Sequence, residues 1–402
     1  MPLITAVIVI LVYAAIAVGR VPSLRMNRAT IALAGAAALV AIGAIHEEEA
    51  FAALDMGTIL LLGAMMVINV NLRLAGFFRY VGSRTLRIAH GPRLLLALVI
   101  VSSGVLSAIF LNDPICLMMT PMVVDLTRRL GRDPVPYLVG LAAAANVGST
   151  ATLTGNPQNM IIGQASGIPY LTFLAYLGPV ALVGLLACWC VIVLVYPAEF
   201  RRVLPDVTLP PPRTFTPLLR RTLLVVLGLM IAFLTGAPIV TTACVAAAIL
   251  LVSRLRPVKL LDLDWNLLAF FAGLFVITGA LSTTGLSERL FASTDAFLKS
   301  GVLLFSVVVA VLSNLVSNVP AVLLLRPEIA SFPDPQQSWL ALAMASTLAG
   351  NFTLLGSAAT LIVAEVARAN GARLDFVAYL RAGVPITIVT LAFGVIWLEW
   401  VF

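Results

Sequence analysis

Two Asn-x-Pro sequences interrupt long apolar stretches of the chain. Asn-Asp-Pro at 112–114 lies within 94–127, and Asn-Val-Pro at 318–320 lies within 300–326. An asparagine can cap the start of a helix, and a proline two residues later suits its first turn. The returning helix would then present free N–H groups and partial positive charge to an anion. A tight turn without a ligand is the alternative, but its occurrence at two matching places favours binding.

Two further apolar spans, 135–165 and 338–368, are interrupted near their middle by Gly, Thr, Ser and Asn. Breaking a helix frees backbone carbonyls, and these with Thr and Asn oxygens make a site for a hard cation such as Na⁺. Kinked helices packed through small residues are the alternative. The predicted Na⁺ ligands are Asn112, Thr152, Gly155, Asn318, Thr353 and Gly356. The predicted substrate ligands are Asn112, Asp113, Thr154, Asn156, Asn159, Asn318, Ser357 and Thr360.

Asp113 is the acidic residue of the first Asn-x-Pro sequence, where the second has Val319. Burial favours the neutral form of a carboxyl group, whereas a bound cation or a helix N-terminus favours the charged form. A group balanced in this way can couple transport to H⁺ or Na⁺. The alternative is that Asp113 only caps the returning helix. We interpret it as the coupling residue.

The composition places these residues in a membrane. Of the 402 residues, 61% are apolar and 11% are charged, whereas soluble domains are about 45–50% apolar and about 25% charged. The net charge of +7 comes mostly from arginines between apolar spans, which is typical of oriented membrane proteins and argues against a nucleic-acid partner. The chain has two histidines, no metal motif and no His/Asp/Cys constellation. We therefore expect no enzyme activity and no cofactor, with Na⁺ only as a coupling ion.

Ten apolar runs are long enough, allowing for frayed ends, to cross the about 30 Å of hydrocarbon in a bilayer. These runs are 3–19, 30–45, 57–75, 135–165, 171–197, 217–235, 238–253, 265–285, 338–368 and 376–402. The stretches 94–127 and 300–326 are each too long for one crossing, and each of their halves is too short to cross comfortably by itself. We predict two re-entrant hairpins, because non-helical backbone at membrane depth persists only inside protein or beside a water-filled cavity.

The distribution of charge predicts the orientation. With both hairpins re-entrant and both termini outside, every lysine and arginine except Arg289, Lys299 and Arg326 falls on the cytoplasmic side. The acidic run at 47–49 falls outside. This asymmetry satisfies the positive-inside rule. It predicts an integral, multi-pass protein of the inner (plasma) membrane.

The second half of the chain repeats the first. LSAIFLNDPICLMMTP at 106–121 aligns without gaps on LSNLVSNVPAVLLLRP at 312–327, and TLTGNPQN at 152–159 matches TLLGSAAT at 353–360. Five crossing spans per half is an odd number, so the second half enters from the opposite side. The sequence predicts an all-α polytopic membrane protein of two inverted repeats, each of five transmembrane helices and one re-entrant hairpin, as in alternating-access transporters. The predicted units are repeat 1–197, a cytoplasmic linker 198–216 and repeat 217–402.

These motifs resemble those of the ion transporter superfamily, which includes divalent anion/sodium symporters, citrate transporters, arsenite permeases and sodium/proton antiporters. GSTATLTGNPQNMIIG at 148–163 looks like that superfamily's Gly-Gly-x-Ala-Thr-Leu-x-Gly-x-Pro-x-Asn signature. LNDPICLMMTP at 111–121 resembles the Asn-Asp hairpin of the arsenite permeases. The resemblance covers nearly the whole chain and implies a homodimer whose transport domain moves in the manner of an elevator.

The resemblance also implies roles for individual residues. In the dicarboxylate symporters both hairpin tips carry Ser-Asn-Thr, and the Asn and Thr contact substrate carboxylate. Asn112 and Asn318 match the Asn, and Ser317 matches the Ser of the second tip, whereas Asp113 and Val319 replace the Thr.

The primary hypothesis is a secondary active transporter of a small inorganic or organic anion, coupled to Na⁺ or H⁺ and working by alternating access. The alternative is an efflux antiporter, exchanging arsenite or Na⁺ for H⁺, and Asp113 is the residue that argues for it. The expected partners are the anion, the coupling ion, the lipid bilayer and a second copy of the chain.

Overall fold

A computed structural model describes residues 2–18, 20–21, 26–201, 216–252, 257–260, 262–286 and 299–402. Most of the predicted linker, at 202–215, and Arg289 lie outside these ranges. Within them the fold is α-helical, apart from one antiparallel pair of two-residue strands, β1 (Arg20–Val21) and β2 (Met26–Asn27). The predicted all-α class is confirmed.

The helices begin and end close to the limits of the apolar runs. In chain order they are α1 Pro2–Val18, α2 Arg28–Ala41, α3 Glu47–Ala53, α4 Met56–Ala75, α5 Phe77–Ile88, α6 Pro92–Ile109, α7 Asn112–Arg129, α8 Pro134–Ser149, α9 Pro157–Ser166, α10 Tyr170–Val195, α11 Thr216–Leu234, α12 Ile239–Leu251, α13 Pro257–Leu260, α14 Trp265–Thr283, α15 Val302–Val316, α16 Asn318–Leu325, α17 Pro335–Ala349, α18 Ala358–Ala369 and α19 Phe376–Val401. Short 3₁₀ turns follow α10 and α16. Proline opens α6, α8, α9 and α17, where its missing N–H would have had no helical partner.

Six helices of the described chain are long and apolar enough to cross a membrane, namely α4, α6, α10, α11, α14 and α19. Shorter apolar helices occur in α1, α2, α12 and α15. The chain is therefore an integral, multi-pass membrane protein. One length expectation was wrong: α6 has 18 residues, which at 1.5 Å per residue is about 27 Å. Since α7 also has 18 residues, neither half of 94–127 is too short to cross. The expectation holds for the other stretch, where α15 and α16 have 15 and 8 residues.

Helices α4 and α14 are built alike at both ends. Asp55 and Asp264 cap their starts, each accepting a hydrogen bond from the backbone N–H three residues later, at 3.0 and 3.1 Å. Gly76 and Gly285 follow their ends with φ of 77° and 66°, a left-handed conformation that glycine adopts without steric cost. α14 packs on α2, and α4 packs on α12.

The centre of the molecule is formed by α8 and α17, in which residues 136–149 and 338–349 are all buried. α6 packs on α8 and α15 packs on α17. The α6–α8 contact is closest at Gly148, where a Cβ atom would lie 2.1 Å from the carbonyl oxygen of Gly104. Only glycine at this position allows the two backbones to approach this closely.

Candidate functional site

The first tip joins α6 to α7 and lies beside the break between α8 and α9. The backbone N–H of Asn112 donates to the carbonyl oxygen of Gly155 at 3.0 Å. The Asn112 side chain donates to Asn146 Oδ1 of α8 at 3.1 Å. The predicted cap at Asn112 was wrong, because Asn112 is already the first helical residue and Leu111 occupies the cap position without a side-chain bond. Because Asn112 lies one residue inside the helix, its amide bonds to α8 and not to the backbone N–H groups of its own first turn.

The second tip, between α15 and α16, lies beside the break between α17 and α18. With the Asn318 amide turned so that its nitrogen faces the neighbouring acceptors, this nitrogen donates to the carbonyl oxygens of Ser346 and Gly356, each at 3.2 Å. Asn318 is also the first residue of its helix and has no capping bond, so this second predicted cap was wrong for the same reason. Ser317, which precedes it, has φ of 81°, a conformation that is uncommon outside glycine.

The first break, at 150–156, is folded around its own asparagines. Asn156 caps α9, because its Oδ1 accepts from the backbone N–H of Asn159 at 2.9 Å. Asn159 Nδ2 donates to the carbonyl oxygens of Ser149 at 3.1 Å and Thr152 at 2.9 Å. The Asn159 side chain thus donates hydrogen bonds to carbonyl groups that have no helical partner because the helix is broken.

The second break, at 350–357, is closed by hydroxyl groups. Ser357 caps α18, with its Oγ accepting from the backbone N–H of Thr360 at 3.1 Å. The Thr360 hydroxyl donates to the carbonyl oxygen of Leu354 at 2.9 Å. The backbone N–H of Gly356 donates to the carbonyl oxygen of Thr353 at 3.0 Å. The predicted residues of this segment therefore lie together.

Reciprocal hydrogen bonds join the two breaks. Asn146 Nδ2 donates to Ser357 Oγ at 2.9 Å, and Asn156 Nδ2 donates to Thr347 Oγ1 at 3.2 Å. Asn146 and Thr347 are 201 residues apart, and so are Asn156 and Ser357. The two bonds therefore join equivalent positions of the two halves. In one bond the donor lies in the first half near the end of α8, and in the other the acceptor lies at the matching position of α17. Asn146 also donates to Asn351 Oδ1 at 2.9 Å, so both breaks belong to one buried polar cluster.

A cavity of about 130 Å³ lies against this cluster, between the first tip, α4 and the start of α14. Pro157 of α9 and Ile362 of α18 also line it, and its walls are mainly apolar. The polar and charged lining residues are Asn69, Arg73, Asp113, Asp262 and Asp264. Arg73 and Asp262 form a partly exposed ion pair and so mark the mouth of the cavity.

Asp113 is the one predicted ligand that lines this cavity. Asn112, Asn156, Asn159, Asn318, Ser357 and Thr360 are buried in the polar cluster behind it. The Thr154 hydroxyl lies 3.4 Å from the Tyr170 hydroxyl, and Tyr170 lines a different, apolar cavity between α6, α8, α10 and α11. The structure therefore places Asp113 on the first cavity, six predicted residues in the supporting cluster, and Thr152 and Thr154 at or beside the second, apolar cavity.

The charges around Asp113 are mainly negative on the side of the cavity. Asp113 interacts electrostatically with Asp264 and with Arg28 of α2, and its charge also acts on the buried thiol of Cys116. Arg28 is shared with Glu365 of α18. Two neighbouring carboxylates repel an anion and attract a proton or a cation. The arrangement can therefore hold a proton beside a substrate that carries no full negative charge.

Buried amide oxygens without a hydrogen-bond partner occur in the first-break part of the cluster. They are Oδ1 of Asn112 and Oδ1 of Asn159. An oxygen that no donor satisfies is a suitable ligand for a hard cation, so the donor chemistry of this part fits Na⁺. Among residues that the structure describes, no group of three or more His, Cys, Asp or Glu side chains is placed to hold a metal ion.

Four polar residues of the site were not predicted from the sequence, namely Asn69, Asn146, Thr347 and Asn351. The last three lie in or next to the interrupted spans, but the spacing along one span does not show which side chain of the other repeat it meets. Asn69 lies inside the apolar run 57–75. A polar residue inside such a run is itself a signal of function.

Sequence similarity to known proteins extends over nearly the whole chain. The family model described as CitMHS, citrate transporter, matches residues 7–349. The silicon efflux transporter LSI3 of Oryza sativa subsp. japonica is 31% identical, over 93% of this chain and 93% of its own. A 46 kDa membrane protein of Mycobacterium leprae is 30% identical, over 99% and 98%.

Among solved structures, the crystal structure of the YdaH transporter of Alcanivorax borkumensis has a similar fold. The TM-score is 0.54 at 15% identity, and the match covers 93% of this chain and 96% of that one. The predicted superfamily is confirmed, and the matching family and the rice relative are transporters, not enzymes. This chain is a membrane transport protein that belongs to the CitMHS citrate transporter family.

Proposed function

We propose that this transporter exports a small, uncharged oxyacid in exchange for protons. The observation that carries the proposal is the cavity lined by Asp113, with Asp264 beside it; its other polar lining is one amide and the Arg73–Asp262 ion pair, and the remaining walls are apolar. Proton binding to Asp113 and substrate binding in the same small volume would exclude each other. That competition is what an antiporter requires.

The substrate class follows from the charges of the cavity. Arg73, the one basic residue that lines it, is paired with Asp262 at the mouth. A divalent or trivalent carboxylate would meet the carboxyl groups of Asp113 and Asp264. The other cation near Asp113, Arg28, does not line the cavity and is shared with Glu365. Orthosilicic and arsenous acids keep their hydroxyl groups protonated near neutral pH, and a carboxylate can accept a hydrogen bond from such a group. The printed name of the rice relative, a silicon efflux transporter, agrees with this class.

For the architecture we infer two inverted repeats, 1–197 and 217–402, that work by alternating access. The matched caps at Asp55 and Asp264 and the reciprocal bonds between the breaks support it. The hairpins, the broken helices and α19 with α10 would form a transport domain moving as an elevator within a homodimer. The charge asymmetry supports an inner-membrane orientation with both termini outside.

A second candidate is Na⁺-coupled uptake of a small carboxylate. It is favoured by the unpartnered oxygens of Asn112 and Asn159, which suit Na⁺, and by the description of the matching family. In that case the substrate would bind at the helix starts of the two tips, where backbone N–H groups are available.

The first experiment uses purified protein in liposomes with a trapped pH dye. We expect arsenous or orthosilicic acid to move protons without Na⁺. Proton movement on Na⁺ alone would identify a Na⁺/H⁺ antiporter, and a response only to citrate with Na⁺ would establish the second candidate. Either result would contradict the proposed exchange.

Asp113→Asn tests the coupling residue in the same liposomes. We expect accumulation driven by a pH gradient to fall to background, while exchange of labelled for unlabelled substrate continues, because the amide keeps the shape of the carboxyl but cannot release a proton. Asp125→Asn is the matched control, since Asp125 lies on the same helix in an exposed pair with Arg129. Gradient-driven transport that survives in Asp113→Asn would exclude Asp113 as the coupling group.

A further inference from the structure

Asn69 lies in the middle of α4, on the wall of the cavity opposite the first tip. Its side chain is only 4% exposed. Neither its amide nitrogen nor its amide oxygen has a hydrogen-bond partner, and within the described chain it is the one amide side chain whose nitrogen and oxygen are both buried without one. A buried amide left without partners destabilises the folded protein. Its presence in an apolar helix is explained if a transported ligand binds it during part of the transport cycle.

The neighbouring Asn71 shows that the helix can accommodate an amide in another way. Asn71 is also buried, but its Nδ2 donates to the carbonyl oxygen of Val67, one turn earlier, at 2.9 Å, so that only its Oδ1 is left without a partner. Asn71 does not line the cavity. The amide of Asn69 makes no such bond to its own helix, and Asn69 is part of the cavity wall.

We propose that Asn69 is a substrate-binding residue that holds a hydroxyl group of the transported oxyacid. An amide offers one acceptor and two donor hydrogens, and a protonated hydroxyl has one donor and acceptor lone pairs, so the two can bond in both directions. A carboxylate could use only the donor half of the amide. The pairing therefore favours an uncharged polyhydroxy acid, and it rests on the proposed function of the same cavity.

The two walls then take different roles. Asp113 of the first tip binds the proton, whereas Asn69, from a helix outside the hairpins and broken helices, recognises the substrate. Because α4 contributes to the cavity without belonging to the polar cluster, Asn69 would contact substrate only while the cavity lies against α4. Substrate would lose this contact when the tip moves away.

The test compares Asn69→Leu and Asn69→Ala with wild type and with the control Asn71→Leu. In liposomes, we expect both Asn69 variants to raise the half-saturating concentration of arsenous acid roughly three- to tenfold, the effect of one lost neutral hydrogen bond. Asn71→Leu should leave this concentration within about twofold, because Asn71 does not line the cavity. Half-saturation that is unchanged in both Asn69 variants, with an active wild type, would overturn the inference alone.

Thermal unfolding separates binding from a structural role. Without substrate, we expect Asn69→Leu to unfold at the same temperature as wild type or higher, because the unpartnered amide is removed. With arsenous or orthosilicic acid, the stabilisation seen in wild type should be lost in the variant. An equal loss of stability with and without the acid would show that Asn69 is structural. A wild type that neither binds nor moves either acid would overturn the proposed function, and the inference with it.

Discussion

At the scale of single residues, the two tips are chemically unequal although they are built alike. Asn112 and Asn318 both open a helix and both donate to an oxygen beside a break. The next residue is Asp113 in the first tip and Val319 in the second, and the cavity lies against the first. One tip can therefore carry a proton while the other cannot. This difference would assign coupling to the first repeat.

Ser317 gives a prediction that concerns backbone conformation alone. Its φ of 81° is unfavourable for a residue with a Cβ atom. We expect Ser317→Gly to stabilise the protein by about 1 kcal/mol, because glycine adopts this conformation without strain. Ser317→Ala is the matched control, since it removes the same hydroxyl but keeps the Cβ atom. Thermal unfolding in detergent measures both, and equal stability of the two variants would rule out strain at this residue.

At the scale of elements, α6 and α8 can approach closely because residue 148 is a glycine, with a hydrogen atom in place of a side chain. A methyl group at position 148 would overlap the carbonyl group of Gly104. We expect Gly148→Ala to destabilise the protein by at least about 3 kcal/mol or to prevent its folding, since overpacking against backbone has little room to relax.

Gly228 of α11 provides the control for that substitution. A Cβ atom there would meet nothing within 4 Å, and alanine favours a helix over glycine by about 0.5–1 kcal/mol. Gly228→Ala should therefore be neutral or stabilising. Recovery of monodisperse protein by size exclusion, followed by thermal unfolding, compares the two. Similar behaviour of Gly148→Ala and Gly228→Ala would contradict the close approach of α6 and α8.

The elements could be predicted from the sequence to different degrees. The run 57–75 and the helix Met56–Ala75 nearly coincide because apolar length and an Asp cap are local signals. The caps at Asn112 and Asn318 were mispredicted because a shift of one residue turns the side chain toward another element. The partners of Asn156 across the repeat were not predictable, since the bond to Thr347 spans 191 residues and depends on how two helices cross.

At the scale of the whole molecule, an ion pair and the cavity lie at opposite ends of one helix. α4 has 20 residues and is thus about 30 Å long, the thickness of the hydrocarbon core. Arg73, at the mouth of the cavity, is in its last turn, and Asp55 caps its first turn. Asp55 Oδ2 lies 3.3 Å from Arg326 Nη1, just after α16. The pair therefore connects α4 to the second hairpin on the side of the membrane away from the cavity mouth.

This ion pair is expected to favour the state in which the cavity faces the Arg73 side. Arg326→Gln removes the charge, whereas Asp55 keeps its capping bond to the backbone of α4. For a partly exposed pair we expect a shift of the conformational equilibrium of about two- to fivefold. In a background without the four native cysteines, a membrane-impermeant maleimide should label Leu263→Cys, a lining position, more slowly by that factor.

Two further variants make that measurement decisive. Arg326→Lys retains the positive charge and should restore most of the labelling rate. Arg129→Gln removes a more exposed ion pair on α7 and should leave the rate unchanged. High salt should also reduce the difference between wild type and Arg326→Gln, because screening weakens an exposed pair. If Arg326→Gln is labelled as fast as wild type at low salt, the pair does not bias the two states, and the closure of that face rests on apolar packing between the second hairpin and its neighbours.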